Sequence, residues 1–347
     1  MTQRDARRTF LRLAAVGAAA GALPEASAAP AGIVLPRALK PGDTLALLSP
    51  AGATYLHEPI DIAIDTLRSM GYRVKPGAHL RARRGHFAGS DAERAADLHA
   101  AFADPDVAGI IAYTGGSGCT RLLPLLDFDL IGRHPKFFGG LSDITVLLNA
   151  IQRRTGLVTF HSPAASSQWN AWSRDIFERI VVRGEAPTLA NPKDAETLPA
   201  PRRFRTRTLT PGIARGRLVG GNLTVLATLA GTPWWPDFDG AILCLEDINE
   251  YIYRVDRVLA HLRAAGAFQR LAGVAIGQFT DCNPGDGYGT LTLEEVFADY
   301  FAGLGVPVYM GAQFGHVAEK MTLPIGLPAE IDATAGTLRL LGPAVRV

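Results

Sequence analysis

The chain has 347 residues, 48% hydrophobic and 20% charged, which is enough for two modest domains with real cores and excludes a disordered or fibrous protein. The formal charge of +2 does not point to nucleic acid. Residues 1–28 hold Arg4, Arg7, Arg8 and Arg12 against Asp5 and Glu25, so 35 basic residues less four, and 33 acidic less two, leave 31 of each in the remainder.

Residues 1–28 read as an export signal. The Arg7-Arg8 pair precedes Thr9-Phe10-Leu11, a mild apolar run follows from Leu13 to Ala20, and Ala26-Ser27-Ala28 offers a small-x-small cleavage pattern. This is the layout of a Tat-type signal, which places the mature protein in the periplasm. The apolar run is too short to span a bilayer, and no later segment reaches about 18 consecutive apolar residues. The mature chain is therefore expected to lack a membrane span. Of the three cysteines, Cys119, Cys244 and Cys282, none belongs to a dense disulfide framework, and free, mostly buried thiols are expected.

Strand-like and helix-like segments alternate through the first half. Thr44–Ser49 is a short apolar run ending in Pro50-Ala51-Gly52, a strand and its turn. Residues 58–70 are helical by the spacing of Ile60, Ile64 and Leu67, and Tyr72-Arg73-Val74 opens the next strand. Ala92–Ala103 is an amphipathic helix stopped by Asp104-Pro105. Gly109–Tyr113 is a buried strand followed by Gly115-Gly116-Ser117-Gly118. Lys136–Gly139 is another, followed by Gly140-Leu141-Ser142-Asp143 and a helix from Ile144 to Arg153. Such alternation implies an α/β fold with a parallel, flavodoxin- or Rossmann-like sheet over residues 29–165. Residues 166–209 hold several prolines and a basic run at Arg202, Arg203, Arg205 and Arg207, and read as a partly helical crossover. Residues 210–347 read as a smaller, β-rich α/β domain, with strands at 213–219, 241–245, 272–277 and 338–342 and a helix at 253–264.

Four places carry candidate chemistry. Ser142 stands on a turn from a buried strand into a helix, where N–H groups and positive potential suit an oxyanion. The pattern stops short of G-x-S-x-G, because Ile144 holds the last position, and Ser142 or Asp143 as a plain helix cap is the simpler alternative. Gly115-Gly116 exposes backbone donors, yet fits neither a dinucleotide nor a phosphate loop. Glu246 and Asp247 end an apolar strand, where a desolvated carboxylate can hold a histidine; Glu246 continues the strand directly and is preferred. His316 ends Phe314-Gly315-His316, and a satisfied structural histidine is its plainer reading. No zinc spacing exists among the histidines and cysteines, so neither metal nor cofactor is expected.

Six motifs in order resemble the LD-carboxypeptidase family of serine peptidases, the murein tetrapeptide carboxypeptidases: Phe87–Asp91 with Arg94–Leu98; Gly115-Gly116 with Arg121-Leu122-Leu123; Gly140–Thr145; Gly220–Leu223 with Gly231-Thr232-Pro233; Leu245–Glu250 with Arg254–Arg257; and Phe314–His316 with Thr322-Leu323-Pro324. The resemblance implies a nucleophile at Ser142, an acid at Glu246 and a base at His316. It further implies an oxyanion hole from the Asp143 N–H with one from Gly115 or Gly116, and release of D-alanine from a peptidoglycan tetrapeptide. Thr114 and Ser117 stand where the family commonly carries Arg and an aromatic. Arg121, Arg217 and Arg254 are candidates for the substrate carboxylate. A homodimer is common in the family. Two other readings are a hydrolase like the microcin C immunity proteins, acting on acyl-adenylate analogues, and a non-catalytic muropeptide-binding protein.

Overall fold

The computed structural model describes residues 32–193, 200, 202–285 and 289–347. The segment read as an export signal lies outside the described residues.

The first half follows the expected alternation: β1 (Thr44–Leu48), α1 (Glu58–Ser69), β2 (Arg73–Pro76), α2 (Asp91–Ala103), β3 (Val107–Ala112), α3 (Phe128–Arg133), β4 (Phe137–Gly140), α4 (Thr145–Thr155) and β5 (Thr159–His161). Helix α2 starts on a capping box. Ser90 Oγ accepts the Glu93 N–H at 3.2 Å, and the Glu93 carboxylate accepts the Ser90 N–H at 2.7 Å, which satisfies donors the first turn leaves open. These five strands pair in parallel in the order β2-β1-β3-β4-β5. In such a sheet the catalytic edge is the C-terminal ends of the strands, and Ser142 lies two residues past the end of β4.

The remaining elements are α5 (Ala171–Phe177), β6 (Thr188–Leu189), β7 (Arg207–Thr210), β8 (Ile213–Asn222), α6 (Leu223–Ala227), β9 (Ala241–Ile248), α7 (Ile252–Ala264), β10 (Gly273–Thr280), α8 (Leu293–Phe301), β11 (Val308–Met310), β12 (Leu323–Ile325), β13 (Pro328–Asp332) and β14 (Thr337–Leu340). All these strands except β12 form an eight-stranded sheet in the order β6-β14-β13-β8-β9-β10-β11-β7. Its centre, β8 through β11, is parallel, and its flanks are antiparallel.

Two features differ from the sequence reading. The 166–209 stretch is not only a crossover, because β6 and β7 are edge strands of the second sheet. Both are too short and too polar to show a period-two pattern. Strand β12 leaves the second half of the chain and pairs antiparallel with β5. Pro324 cannot donate to a ladder and suits this edge position. The two halves are thereby interlocked.

Helix α4 joins the sheets. Thr145 to Ile151 are all buried, and one apolar cluster runs from Phe138, Ile144 and Ile151 to Val219, Leu223 and Leu245. Polar bonds fix the register. The Asn149 amide accepts the Gly220 N–H at 3.2 Å and donates to the Gly220 carbonyl at 2.9 Å. Thr145 Oγ1 accepts the Asn222 N–H at 3.0 Å. Asn222 in turn lies opposite Glu246 in the β8–β9 ladder, so the helix behind Ser142 is tied to the strand beside Glu246.

Candidate active site

Ser142 has φ 65°, one of four positive values among non-glycine residues in the described chain. A side chain in that conformation costs roughly 1–3 kcal/mol and persists only where the surroundings enforce it. The plain-cap alternative does not hold. Helix α4 is preceded by Ile144 with no side-chain cap, and the buried Asp143 carboxylate instead accepts the Cys119 N–H at 2.8 Å. That bond ties the turn to the end of the glycine loop. Gly115 packs directly on the turn: a Cβ there would stand 2.5 Å from Ser142 Cβ, 2.8 Å from Ser142 Oγ and 3.3 Å from the Asp143 nitrogen. The missing side chain leaves room for a reacting group between a hydroxyl and a backbone donor. An open cleft on this side is lined by Gly52, Tyr55, His86, Thr114, Gly116 and Ser117, among others.

Glu246 is completely buried near the end of β9. Its Oε2 accepts from His316 Nδ1 at 2.7 Å. Burial pushes the carboxyl up, but the two histidines beside it outweigh this and hold it down at about 2. The second histidine is His161, at the end of β5, with Nε2 3.6 Å from Glu246 Oε1. That separation is too long for a hydrogen bond. Neither His161 nitrogen nor Glu246 Oε1 has a hydrogen-bond partner among the described residues. His161 was not read from the sequence. The only signal for it was the end of a short apolar strand, which any buried residue would give.

His316 reaches Glu246 because Gly315 precedes it. Gly315 has φ +107, and a Cβ there would fall 2.7 Å from Glu246 Oε2. Asp247 has another task. Its carboxylate accepts from Asn222 Nδ2 at 2.9 Å, the Thr224 N–H at 3.0 Å and Thr224 Oγ1 at 2.7 Å, which closes the turn into α6. Thus Glu246 and His316 are brought together. Ser142 and Gly115 form a second group, linked to the first through β4 and β5, where Gly140 lies opposite His161. Among the described residues Ser142 Oγ forms no hydrogen bond to His316 or to any other side chain; catalytic hydrogen bonds commonly close only on substrate.

The three arginines singled out as carboxylate binders are all engaged elsewhere. Arg121 makes a forked contact with Asp91, at 2.7 Å for its shortest bond. Arg217 pairs with Asp237 at 2.7 Å and lies five residues down β8 from Asn222, about 16 Å away at the rise of a strand. Arg254 is 3.6 Å from Glu250 and stacks over Tyr251 and Tyr253. The three cysteines are free, with Cys119 and Cys244 buried and Cys282 half-buried. Among the described residues no helix is long and apolar enough to cross a membrane.

A two-sheet α/β chain with a strained serine past the end of a strand in one sheet and a buried carboxylate–imidazole pair near the end of a strand in the other has the features of a hydrolase. The chain belongs to the LD-carboxypeptidase family: residues 45–162 match its N-terminal domain and residues 215–331 its C-terminal domain. It is 37% identical over 303 residues to a probable murein peptide carboxypeptidase of Bacillus subtilis, spanning 87% of this chain and 92% of that one. It is 35% identical over 297 residues to the murein tetrapeptide carboxypeptidase of Pseudomonas aeruginosa, spanning 83% and 92%. Among solved structures, an MccF-like protein from Bacillus anthracis superposes with a TM-score of 0.79 at 29% identity, covering 89% of this chain and 99% of that one. The protein is accordingly a carboxypeptidase of the serine type.

Proposed function

We propose that the enzyme releases terminal D-alanine from peptidoglycan tetrapeptides through a Ser142–His316–Glu246 triad, and that it does so in the periplasm after export on residues 1–28. The observation that carries the triad is the buried Glu246–His316 bond at 2.7 Å, together with a serine held at φ 65° past the end of β4. Glu246 fixes the imidazole with Nδ1 as donor, which leaves Nε2 free to accept a proton. His316 takes the Ser142 hydroxyl proton as Oγ attacks the carbonyl carbon. The oxyanion is received by the Asp143 N–H and one from Gly115 or Gly116. The C–N bond breaks, His316 gives its proton to the leaving D-alanine amine, and water then hydrolyses the acyl-enzyme by the same proton path.

The experiment is incubation of the purified enzyme with a murein tetrapeptide and detection of free D-alanine. Release that disappears in Ser142→Ala supports the reading; release that survives the substitution rules out Ser142 as nucleophile. The likeness to an MccF-like protein favours one second reading, hydrolysis of acyl-adenylate analogues. Cleavage of such an analogue without cleavage of the tetrapeptide would select it. Tetrapeptide binding without release of D-alanine would select the non-catalytic reading.

A further inference from the structure

Lys320 is a largely buried lysine that forms no ion pair among the described residues. Only 8% of the residue is exposed. Its backbone N–H donates to Ser173 Oγ at 2.9 Å, and the neighbouring Ala318 carbonyl accepts from Asn170 Nδ2 at 2.8 Å. The segment is therefore pinned to the start of α5. Among the described residues the ammonium itself has no ion pair and no hydrogen bond. The other half-buried lysine is satisfied: Lys136 Nζ donates to the Ala101 carbonyl at 2.9 Å and also to that of Asp104. The stem is buried while the ammonium keeps a small opening to solvent, where a ligand can reach it, and methionine would fill the same space.

The chain path puts this cation at the catalytic edge. Strand β12 runs antiparallel to β5, with Leu323 opposite His161 and Ile325 opposite Thr159. Residues just before Leu323 therefore run past the end of the sheet at which β4 and β5 terminate, the end that carries Ser142. Lys320 lies three residues before Leu323 and four after His316. It is close enough to feel the charge of Glu246, which partly offsets the downward push of burial on its ammonium.

A carboxypeptidase must recognise a free carboxylate next to the bond it cuts, and Arg121, Arg217 and Arg254 are all occupied. We propose that Lys320 binds the terminal carboxylate of the peptide substrate and makes the enzyme an exopeptidase. This rests on the function proposed above for the same site. A charge-assisted hydrogen bond of this kind is worth roughly 10- to 100-fold in affinity.

The test measures binding, so that it stands apart from turnover. Ser142→Ala protein is titrated calorimetrically with a tetrapeptide ending in D-alanine and with the same peptide ending in D-alaninamide. The acid is expected to bind roughly 10- to 100-fold tighter. In the Ser142→Ala, Lys320→Met protein that preference disappears through weaker binding of the acid alone, while Lys320→Arg retains part of it. Thermal unfolding of the Met variant, expected at or above that of its parent, shows that the fold is kept. Equal affinity for acid and amide in the Ser142→Ala protein, or a preference that survives Lys320→Met, overturns the assignment. Failure of the wild-type enzyme to release D-alanine would instead count against the proposed function, and the two failures are read in separate assays.

Discussion

Gly115 presses on Ser142 so closely that a single methyl group on its Cα would lie 2.5 Å from the serine Cβ and 2.8 Å from its Oγ. Neither partner can retreat. Ser142 is held by its φ of 65° and by α4, which is buried against both sheets; the glycine loop is held by the bond from the Cys119 N–H to Asp143.

Gly115→Ala is therefore expected to move the serine rather than be absorbed. A displacement near 1 Å lowers turnover about 100-fold. Steady-state rates on the tetrapeptide, with circular dichroism as the control for fold, check this. An unchanged kcat would mean that the loop yields and the serine does not.

Glu246 and Asp247 are adjacent acids with opposite environments, and they are expected to fail in different ways. Glu246→Gln keeps the shape but loses the charge that orients His316, so kcat falls by roughly 1,000- to 10,000-fold. Asp247→Ala strands the Thr224 N–H and the Asn222 amide inside the protein and costs about 3 kcal/mol of stability. Denaturant midpoints and rates measured on both variants separate the two roles. An equal fall of kcat in both would contradict this division.

Much of this arrangement was legible in the sequence. Period and punctuation gave β1 through β4 and their helices because a buried parallel sheet writes itself as apolar runs between turns. Ser142, Glu246 and His316 emerged from the order of distant motifs, since each alone had a plainer reading. What stayed hidden depends on contacts across the chain. Strand β12 has three residues and a proline, and only its pairing with β5 makes it a strand. His161 and Lys320 look like ordinary residues until the fold buries them with no hydrogen-bond partner for imidazole or ammonium among the described residues. The arginines show the same dependence in reverse: Arg217 stands alone in the sequence and is paired with Asp237 in the fold.

Acid sensitivity follows from Glu246. Its carboxyl sits at about 2 in the folded protein against 4.5 as the ordinary value. The folded state therefore binds this proton more weakly than the unfolded one. The stability it contributes is complete above about pH 4.5 and is lost as pH falls towards 2. Urea midpoints of the wild type should decline through this window, and those of Glu246→Gln should decline less steeply. Parallel declines would show that other groups dominate acid unfolding.

His161 supplies part of that effect and can be removed with little change of shape. It is buried, packs edge-on to Phe314 with ring centroids 6.2 Å apart, and stands 3.6 Å from Glu246 Oε1. His161→Phe keeps a flat ring in the same space. Without the second imidazole the Glu246 carboxyl rises towards its ordinary value, so its contribution at neutral pH is smaller and the acid decline of stability is shallower. The carboxylate also gains freedom to turn away from His316, and kcat falls on the order of 10-fold, equivalent to about 1.4 kcal/mol of barrier. His161→Gln, which returns a donor to the site, should restore part of both. The urea series from pH 6 to 3 distinguishes this positioning role from simple packing: a packing role would lower the whole curve by a constant amount, whereas the loss expected here is full near pH 6 and shrinks as pH falls. A curve parallel to the wild type would remove His161 from the catalytic arrangement and leave Glu246 oriented by His316 alone.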